Sequence, residues 1–236
     1  FAVTQGGIQS PVTVDWISQS AYFSDRLARP AIDQEPSIPM LSAGTPIDGT
    51  RVCILSDQKE VLPDRHIGEI ALQSNCMLTG YYNRPDATEK AFHNGWYLTG
   101  DLGYISNGEV YVTGRKKDLI IVGGKNIYPQ DLENLAGEVP GIYPGRVVAF
   151  GLFNEETGTE DVVIIAETDG QLSPQQAEDL ENQIRQQVTR GSDIALRYVK
   201  VVEHGWLLKT SSGKIARSAN REKYLQSFGQ EALKPT

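Results

Sequence analysis

The stretch GRKKDLIIVGGKNIYP, residues 114–129, joins two parts of the chain that differ in pattern. Before it, short apolar or alternating runs are separated by turn residues, which is typical of a small antiparallel sheet or barrel. After it, apolar runs alternate with helix signals, which indicates mixed α and β structure. The sequence therefore predicts an α+β chain, with a small antiparallel β-barrel-like subdomain at residues 1–116 and a compact α+β domain at residues 117–236.

The strand-rich pattern, which changes from Lys125 onward, contains four predicted strands, one short helix and a long connection. The strands are expected at 51–55, 67–73, 108–113 and 119–122, and the helix at 86–92. Turns are expected at Asp48-Gly49, Pro63-Asp64, Asn94-Gly95 and Asn107-Gly108. Residues 24–46 contain four prolines among polar residues, which predicts a long surface excursion without regular strand pairing.

The second part has clear helix boundaries. Pro129 favours the first position of a helix that reaches about Glu138. Ser173 and Gln176 have the spacing of a capping box at the start of a second helix, which is expected to end at Gly191. Buried strands and a last helix complete this part, and we expect them at 146–153, 162–166, 196–202 and 218–228.

Composition excludes several classes of protein. A net charge of −8 and a pI near 5.0 provide no positive field for nucleic acid or an anionic membrane. No apolar run approaches the roughly 18 residues of a transmembrane segment, so a cytoplasmic protein is expected. The three histidines are far apart, and no metal site is expected from this chain. Cys53 and Cys76 lie among apolar residues without CxxC spacing and are interpreted as buried thiols of a reducing compartment.

Asp101 and Arg115 are the first candidate site residues. Asp101 follows a glycine between an aromatic strand and a further strand, where an aspartate is often a turn former. A carboxylate there could also accept two hydrogen bonds from the vicinal hydroxyls of a ribose. A hairpin turning at Asn107-Gly108 would return Arg115 to the edge that carries Asp101. The two side chains could then form a plain salt bridge or a clamp for a nucleotide's ribose.

Lys214 lies in KTSSGKIAR, residues 209–217. A phosphate-binding loop of the Walker type needs a glycine four residues before its Gly-Lys pair and Ser or Thr after the lysine. Leu208 and Ile215 occupy those positions, so this interpretation fails. A lone lysine in a polar loop is usually a solvated charge, and a functional role for Lys214 depends on the rest of the chain.

Taken together and in this order, several motifs resemble those of the adenylate-forming acyl ligases, which include acyl-CoA synthetases, luciferases and peptide-synthetase adenylation domains. The resemblance covers residues 40–228, and it is closest to the fatty acyl-AMP ligases. Beside residues 114–129 and 209–217, the matching stretches are Gly68-Glu69-Ile70, GYYNRPDAT at 80–88 and GWYLTGDLG at 95–103.

The resemblance implies roles for individual residues. Asp101 would bind the ribose hydroxyls of ATP and then of the acyl-adenylate, and Arg115 would support that ribose. Lys214 would bridge the substrate carboxylate and the α-phosphate during adenylation. A cation there would reduce charge repulsion and stabilise the transition state.

The resemblance also implies a movement. Lys117 occupies the family's hinge position, where Asp or Lys occurs, and Asp118 is a weaker candidate. Rotation about this hinge would withdraw Lys214 and present the loop Gly123-Gly124-Lys125 for acyl transfer. Residues 117–236 would then be the mobile C-terminal domain, and residues 1–116 the last subdomain of the large AMP-binding domain.

Two family motifs are absent from the sequence: the Ser/Thr/Gly-rich loop for the ATP phosphates and the glutamate motif that holds Mg²⁺. We therefore expect a C-terminal portion of a longer fatty acid ligase, inactive alone, that needs the missing N-terminal portion of the enzyme. ATP with Mg²⁺ would be the co-substrate, and an acyl carrier protein or coenzyme A would accept the acyl group.

Other functions remain open. Coenzyme A as acceptor is the first alternative. A peptide-synthetase adenylation domain is disfavoured because Leu119-Ile120-Ile121 replaces the usual Gln-Val-Lys after the hinge. A non-catalytic interaction module is the third hypothesis, although a pure scaffold would not need Asp101, Arg115 and Lys214 together.

Overall fold

The computed structural model describes residues 3–7, 11–192 and 194–232, with side chains described as far as residue 229. Its α-helices are α1 Gln19–Asp25, α2 Pro85–Ala91, α3 Pro129–Gly137, α4 Pro174–Ser192 and α5 Arg217–Ala232. Its strands are β1 Thr4–Gln5, β2 Val14–Ser18, β3 Ser37–Leu41, β4 Thr45–Pro46, β5 Thr50–Leu55, β6 Gly68–Ser74, β7 Phe92–His93, β8 Trp96–Ser106, β9 Glu109–Arg115, β10 Ile120–Val122, β11 Lys125–Ile127, β12 Ile142–Asn154, β13 Thr159–Thr168 and β14 Tyr198–Glu203. The chain divides into two compact units, Phe1–Lys117 and Asp118–Thr236. The predicted α+β class is confirmed.

The first unit is built on a five-stranded antiparallel sheet. The strand order is β5-β6-β8-β7, and β9 also pairs with β8. The β8–β9 turn contains Asn107 and Gly108 with φ of 53° and 79°, which fits a two-residue hairpin turn. One sheet face contributes to a core cluster of Ile54, Ile70, Leu72 and Val110.

The prediction for residues 24–46 is partly wrong. Within this region β3 pairs with β2 in antiparallel register, and Met40 is buried. Pro39 is tolerated because β2 and β3 form a two-stranded sheet, so an edge of β3 does not need the missing N–H group. A proline does not exclude a strand. It indicates which edge of that strand is left unpaired.

Two smaller expectations are also wrong. Cys53 is buried, but Cys76 is exposed because it lies in the turn after β6 rather than within a strand. The strand expected at 119–122 appears as β10, but it belongs to the second unit. There it pairs with β11, which the sequence interpretation did not include.

The second unit has a three-stranded sheet between helices. The order is β12-β13-β14, with β13 and β14 parallel. On one face, Val147 and Ala149 pack with residues of α3 and α4, whereas on the other face Val148 and Phe150 pack with Tyr224 of α5. Because both faces are covered, β12 and β13 are nearly continuous apolar runs. The unit places α5, and the loop before it, against a rigid sheet.

The capping box at the start of α4 is confirmed. The amide of Gln176 donates to Ser173 Oγ at 3.3 Å, and the amide of Ser173 donates to Gln176 Oε1 at 2.9 Å. Leu180, Ile184 and Val188 of this helix are buried in the core. The local sequence signal and the packed face therefore agree.

Candidate active-site elements

Asp101 and Arg115 meet across the β8–β9 hairpin. They are register partners, and Arg115 Nε donates to Asp101 Oδ1 at 2.9 Å. The side chain of Asp101 is 35% exposed and that of Arg115 is 54% exposed, so the pair is accessible to a ligand. The expected juxtaposition is confirmed, while a nucleotide role for the pair stays a prediction.

A bulge in β8 directs the Asp101 carboxylate. The sequence interpretation put Asp101 between two strands, which is wrong, because β8 runs without a break through Thr99, Gly100 and Asp101. Gly100 has φ of +71°, Thr99 Oγ1 donates to the Ile70 carbonyl at 2.8 Å, and the Asp101 amide donates to Thr99 Oγ1 at 3.0 Å. The flanking register partners are Glu69 with Leu102 and Ala71 with Leu98. Such bulges redirect side chains next to functional sites.

Lys116 is tied into a charge network in the first unit. Its Nζ lies 3.2 Å from Asp57 Oδ1 and 3.3 Å from Glu69 Oε2, and Lys59 Nζ lies 2.7 Å from the same Glu69 oxygen. Burial raises the pKa of Glu69, but the hydrogen bond from Lys59 and the charges of the two lysines outweigh it, so this pKa lies below its ordinary value. Sequence reasoning missed the network because the partners are far apart in the chain.

Lys117 and Asp118 differ sharply in their contacts. Lys117 is exposed, and none of the described side chains forms an ion pair with it. Asp118 Oδ2 lies 2.6 Å from Arg217 Nη1, and Arg217 Nη2 lies 2.7 Å from Glu133 Oε1 within the second unit. The free side chain of Lys117 suits the predicted hinge position, and its hinge role stays a prediction.

The loop Gly123-Gly124-Lys125 is the tip of the β10–β11 hairpin. Gly123 and Gly124 have φ of 55° and 79°, a combination that glycine adopts easily in a two-residue turn. Thr159 supports the turn, since its Oγ1 accepts from the Gly123 amide at 2.8 Å and donates to the Ile121 carbonyl at 2.8 Å. Lys125 is exposed. The loop is thus an exposed, well-supported backbone turn.

Lys214 lies near the tip of an exposed loop between β14 and α5. The Thr210 amide donates to its carbonyl at 2.7 Å, and Gly213 before it has φ of +81°. Across the described ranges, no hydrogen bond or ion pair involves its ammonium group. The pair Asp101–Arg115 belongs to the first unit and Lys214 to the second.

Two kinds of feature are absent from the described residues, a cluster of metal ligands and a membrane-spanning helix. No group of three or more His, Cys, Asp or Glu side chains among them could hold a metal ion. None of the helices within the described part of the chain is both long and apolar enough to cross a membrane.

Three curated proteins that are similar to this chain are all named as ligases. The chain is 37% identical over 166 residues to a putative ligase of Mycobacterium tuberculosis, covering 70% of this chain and 30% of that protein. It is 36% identical over 201 residues to the medium-chain-fatty-acid–[acyl-carrier-protein] ligase JamA of Moorena producens, covering 79% and 33%. It is 29% identical to the long-chain-fatty-acid–AMP ligase FadD32 of Mycobacterium marinum, covering 90% and 40%.

Solved structures agree with these relatives, although no family model matches the chain. The adenylation and carrier-protein structure of McyG with phenylalanyl-adenylate matches with a TM-score of 0.73 and 33% identity, over 81% of this chain and 35% of that one. A fatty acyl-adenylate ligase from work on the Escherichia coli and Legionella pneumophila enzymes shares the fold, with a TM-score of 0.83 and 24% identity over 97% and 40%.

The matched region is only a part of each relative. The chain spans about a third of the length of the first two curated ligases named above. Within that span, the motifs at 95–103, 114–129 and 209–217 form the bulged hairpin, the unit boundary and the lysine loop. By sequence and fold, the chain belongs to the adenylate-forming acyl ligase superfamily, with homologues among fatty-acid–AMP ligases, acyl-CoA ligases and adenylation domains.

Proposed function

We propose that the chain is the C-terminal portion of an ATP-dependent ligase that converts a fatty acid to its acyl-adenylate and passes the acyl group to the pantetheine thiol of a carrier protein. Residues 1–116 are the last subdomain of its AMP-binding domain, and residues 117–236 are its mobile C-terminal domain. The observation that carries this proposal is the accessible Asp101–Arg115 pair on a bulged hairpin, in a chain whose homologues include fatty acid ligases.

Asp101 is suited to hold the ribose. Arg115 occupies Oδ1 of its carboxylate, which fixes the side chain, while the partial exposure of the carboxylate leaves acceptor capacity for vicinal hydroxyl groups. The bulge at Thr99 and Gly100 keeps this geometry independent of ligand. The same contacts serve ATP in the first step and the acyl-adenylate in the second.

Lys214 serves the adenylation step. A carboxylate oxygen of the fatty acid attacks the α-phosphorus of ATP, a new P–O bond forms, and the bond to pyrophosphate breaks. Both reactants are anions, so the lysine ammonium reduces their repulsion and stabilises charge in the transition state. ATP would bring Mg²⁺, which would neutralise phosphate charge, and we assign it to none of the described residues.

Acyl transfer uses a different loop of the second unit. The acceptor sulfur attacks the acyl carbonyl carbon, the C–O bond to the phosphate breaks, AMP leaves, and the thiol proton passes to solvent. Rotation about Lys117 withdraws Lys214 and presents the Gly123-Gly124-Lys125 loop. The exposure of all these residues is compatible with such an exchange.

The identity of the acyl acceptor is the most specific part of the proposal. A relative named as an acyl-carrier-protein ligase supports the carrier protein, and relatives named as acyl-CoA ligases support coenzyme A as the second candidate. A cytoplasmic setting supplies ATP and either acceptor.

The test is a product assay on the full-length ligase that contains this chain. The enzyme is incubated with ATP, Mg²⁺ and a chain-length series of fatty acids, followed by either coenzyme A or carrier protein. We expect fatty-acid-dependent acyl-AMP and a thioester on the carrier protein. Thioester only on coenzyme A would select the second candidate, and no acyl-AMP with any fatty acid would contradict the proposal.

The isolated 236-residue chain provides the matching control. It lacks the family's phosphate loop and Mg²⁺ motif, so we expect no fatty-acid-dependent ATP–pyrophosphate exchange from it. Robust exchange would contradict its assignment as a portion of the enzyme. Binding of a protein partner without any catalytic contribution to the full-length enzyme would favour an interaction module.

A further inference from the structure

The loop that carries Lys214 closes on itself at its base. The Ala216 amide donates to the Leu208 carbonyl at 3.0 Å, and Gly213 donates to the Thr210 carbonyl at 2.9 Å. We call residues 208–210 and 214–216 the two arms of this loop. Because the ammonium of Lys214 has no partner among the described residues, its position depends on how these arms are held.

Asn220 binds both arms from inside the unit. Its side chain is fully buried, at 0% exposure. Nδ2 donates to the carbonyls of Leu208 and Ala216, both at 2.9 Å, and Oδ1 accepts from the Leu208 amide at 2.8 Å. The orientation of the amide is determined by these partners, since an N–H must face Oδ1 and two carbonyls must face Nδ2.

The helix that carries Asn220 is itself anchored. Arg217, at the start of α5, lies within hydrogen-bonding distance of Asp118 and Glu133 and donates from Nε to the Ala149 carbonyl at 2.9 Å. Tyr224, further along the helix, packs in the core. Asn220 therefore connects the exposed loop to the rigid part of the unit.

A buried asparagine inside a helix needs a reason. Asparagine is a weaker helix former than leucine, and a buried amide is costly unless it is fully bonded. Here every described bond of the side chain goes to the loop arms and none to another part of the core. Helix stability does not explain the residue, but loop placement does.

We infer that Asn220 is a positioning residue for adenylation, which holds the base of the loop so that Lys214 is presented in one geometry. This inference rests on the proposed function. Since misplacement by about 1 Å can cost on the order of a hundredfold in rate, losing the three bonds affects the step that uses Lys214. The transfer step, from which Lys214 has been withdrawn, is largely independent of them.

The test uses Asn220→Leu and Asn220→Asp in the full-length ligase. Leucine removes all three bonds at similar size, whereas aspartate keeps the acceptor for Leu208 but loses both donated bonds. We expect acyl-AMP formation to fall by about tenfold to a hundredfold in kcat with little change in KM for ATP. Thioester formation from supplied acyl-AMP should change by about twofold or less.

Ser192→Ala is the matched control. Ser192 is also a buried polar residue of the second unit, donating to the Val188 carbonyl at 2.7 Å, but it does not contact the loop. We expect its loss to lower thermal stability while acyl-AMP formation stays within about twofold of wild type. Wild-type adenylation by Asn220→Leu, or equal loss of both half-reactions, would overturn the inference.

Amide hydrogen exchange in the full-length ligase gives a test that does not depend on catalysis. The Leu208 amide, bonded to buried Asn220, should exchange more slowly than the amide of exposed Ser211, and Asn220→Leu should abolish the difference. Equal exchange in the wild type would overturn the role of Asn220. A wild-type ligase that makes no acyl-AMP would instead overturn the proposed function, and the exchange result would still decide whether Asn220 holds the loop.

Discussion

The Asp101–Arg115 pair and Lys214 are held in opposite ways. The pair stands on adjacent strands, where the two side chains bind each other beside a hydrogen-bonded bulge. Lys214 stands on an exposed loop that is bonded through its backbone, while its side chain has no partner among the described residues. Under the proposed function, the group that holds one ligand through two steps is built into a sheet, and the group that acts in one step is placed on a supported loop.

Among changes to the first unit, the largest effect is expected from Asp101→Ala. Losing hydrogen bonds to a charged acceptor should raise KM for ATP by about tenfold to a hundredfold. Because the ion pair is about half exposed, the free energy of unfolding should change by less than about 1 kcal/mol. Steady-state kinetics and urea unfolding measure both. A large loss of stability with unchanged kinetics would make the pair a plain salt bridge.

Glu69→Gln tests whether the charge network of Lys59, Glu69 and Lys116 stabilises the first unit. The carboxylate interacts with Lys59 and Lys116, which are partly exposed, so we expect a loss of about 1–2 kcal/mol at pH 7. The pKa of Glu69 is lowered from 4.5, so its stabilisation is present above that pH and disappears as pH falls through the lower folded value. Unfolding midpoints of variant and wild type should therefore converge at low pH. A difference that does not depend on pH would contradict the charge network.

Gly100→Ala tests the bulge. There is open space around a Cβ at this position, so its φ of +71° is the only penalty, and we expect about 1 kcal/mol of destabilisation with a raised KM for ATP. Gly137→Ala is the control, because Gly137 also has open space but lies in α3 without a positive φ. It should be neutral or slightly stabilising. Equal effects of the two variants would show that the bulge conformation is unimportant.

The smallest effect is expected from Lys117→Asp. The side chain is exposed and has no partner among those described, so the free energy of unfolding should change by about 0.5 kcal/mol or less. Thermal unfolding checks this expectation. A larger loss would show that Lys117 makes a contact that fixes it in place, contrary to its predicted hinge role.

Local signals made much of the fold predictable. The turn at Asn107-Gly108 was enough to predict that Arg115 returns to the edge that carries Asp101, because a two-residue turn determines the register of its hairpin near the turn. The pairing of Asp101 with Arg115 also needs the register shift between Leu102 and Gly103, since unbroken counting would place Asp101 opposite Gly114. The capping box of Ser173 and Gln176 likewise depends on residues three apart. Such features are local, so the sequence contains nearly all the information that specifies them.

Features that depend on distant partners were not predictable. The bulge at Gly100 is completed by Ile70 on another strand, and Lys116 is paired through Glu69, which is 47 residues away. Asn220 lies in the predicted last helix, and the sequence does not show that its side chain binds the loop before that helix. This contact is seen only in the folded structure. Pro39 in β3 misled for a related reason, since only the sheet shows which edge of that strand is unpaired.

The most direct test compares both half-reactions in Lys214→Ala and Asp101→Ala variants of the full-length ligase. Lys209→Ala, which removes another exposed lysine from the same loop, is the control. We predict that Lys214→Ala loses acyl-AMP formation by about 10²–10³ and keeps thioester formation from supplied acyl-AMP, while Asp101→Ala impairs both steps. Equal loss of both steps in Lys214→Ala would contradict the division between a fixed ribose site and a lysine used in one step.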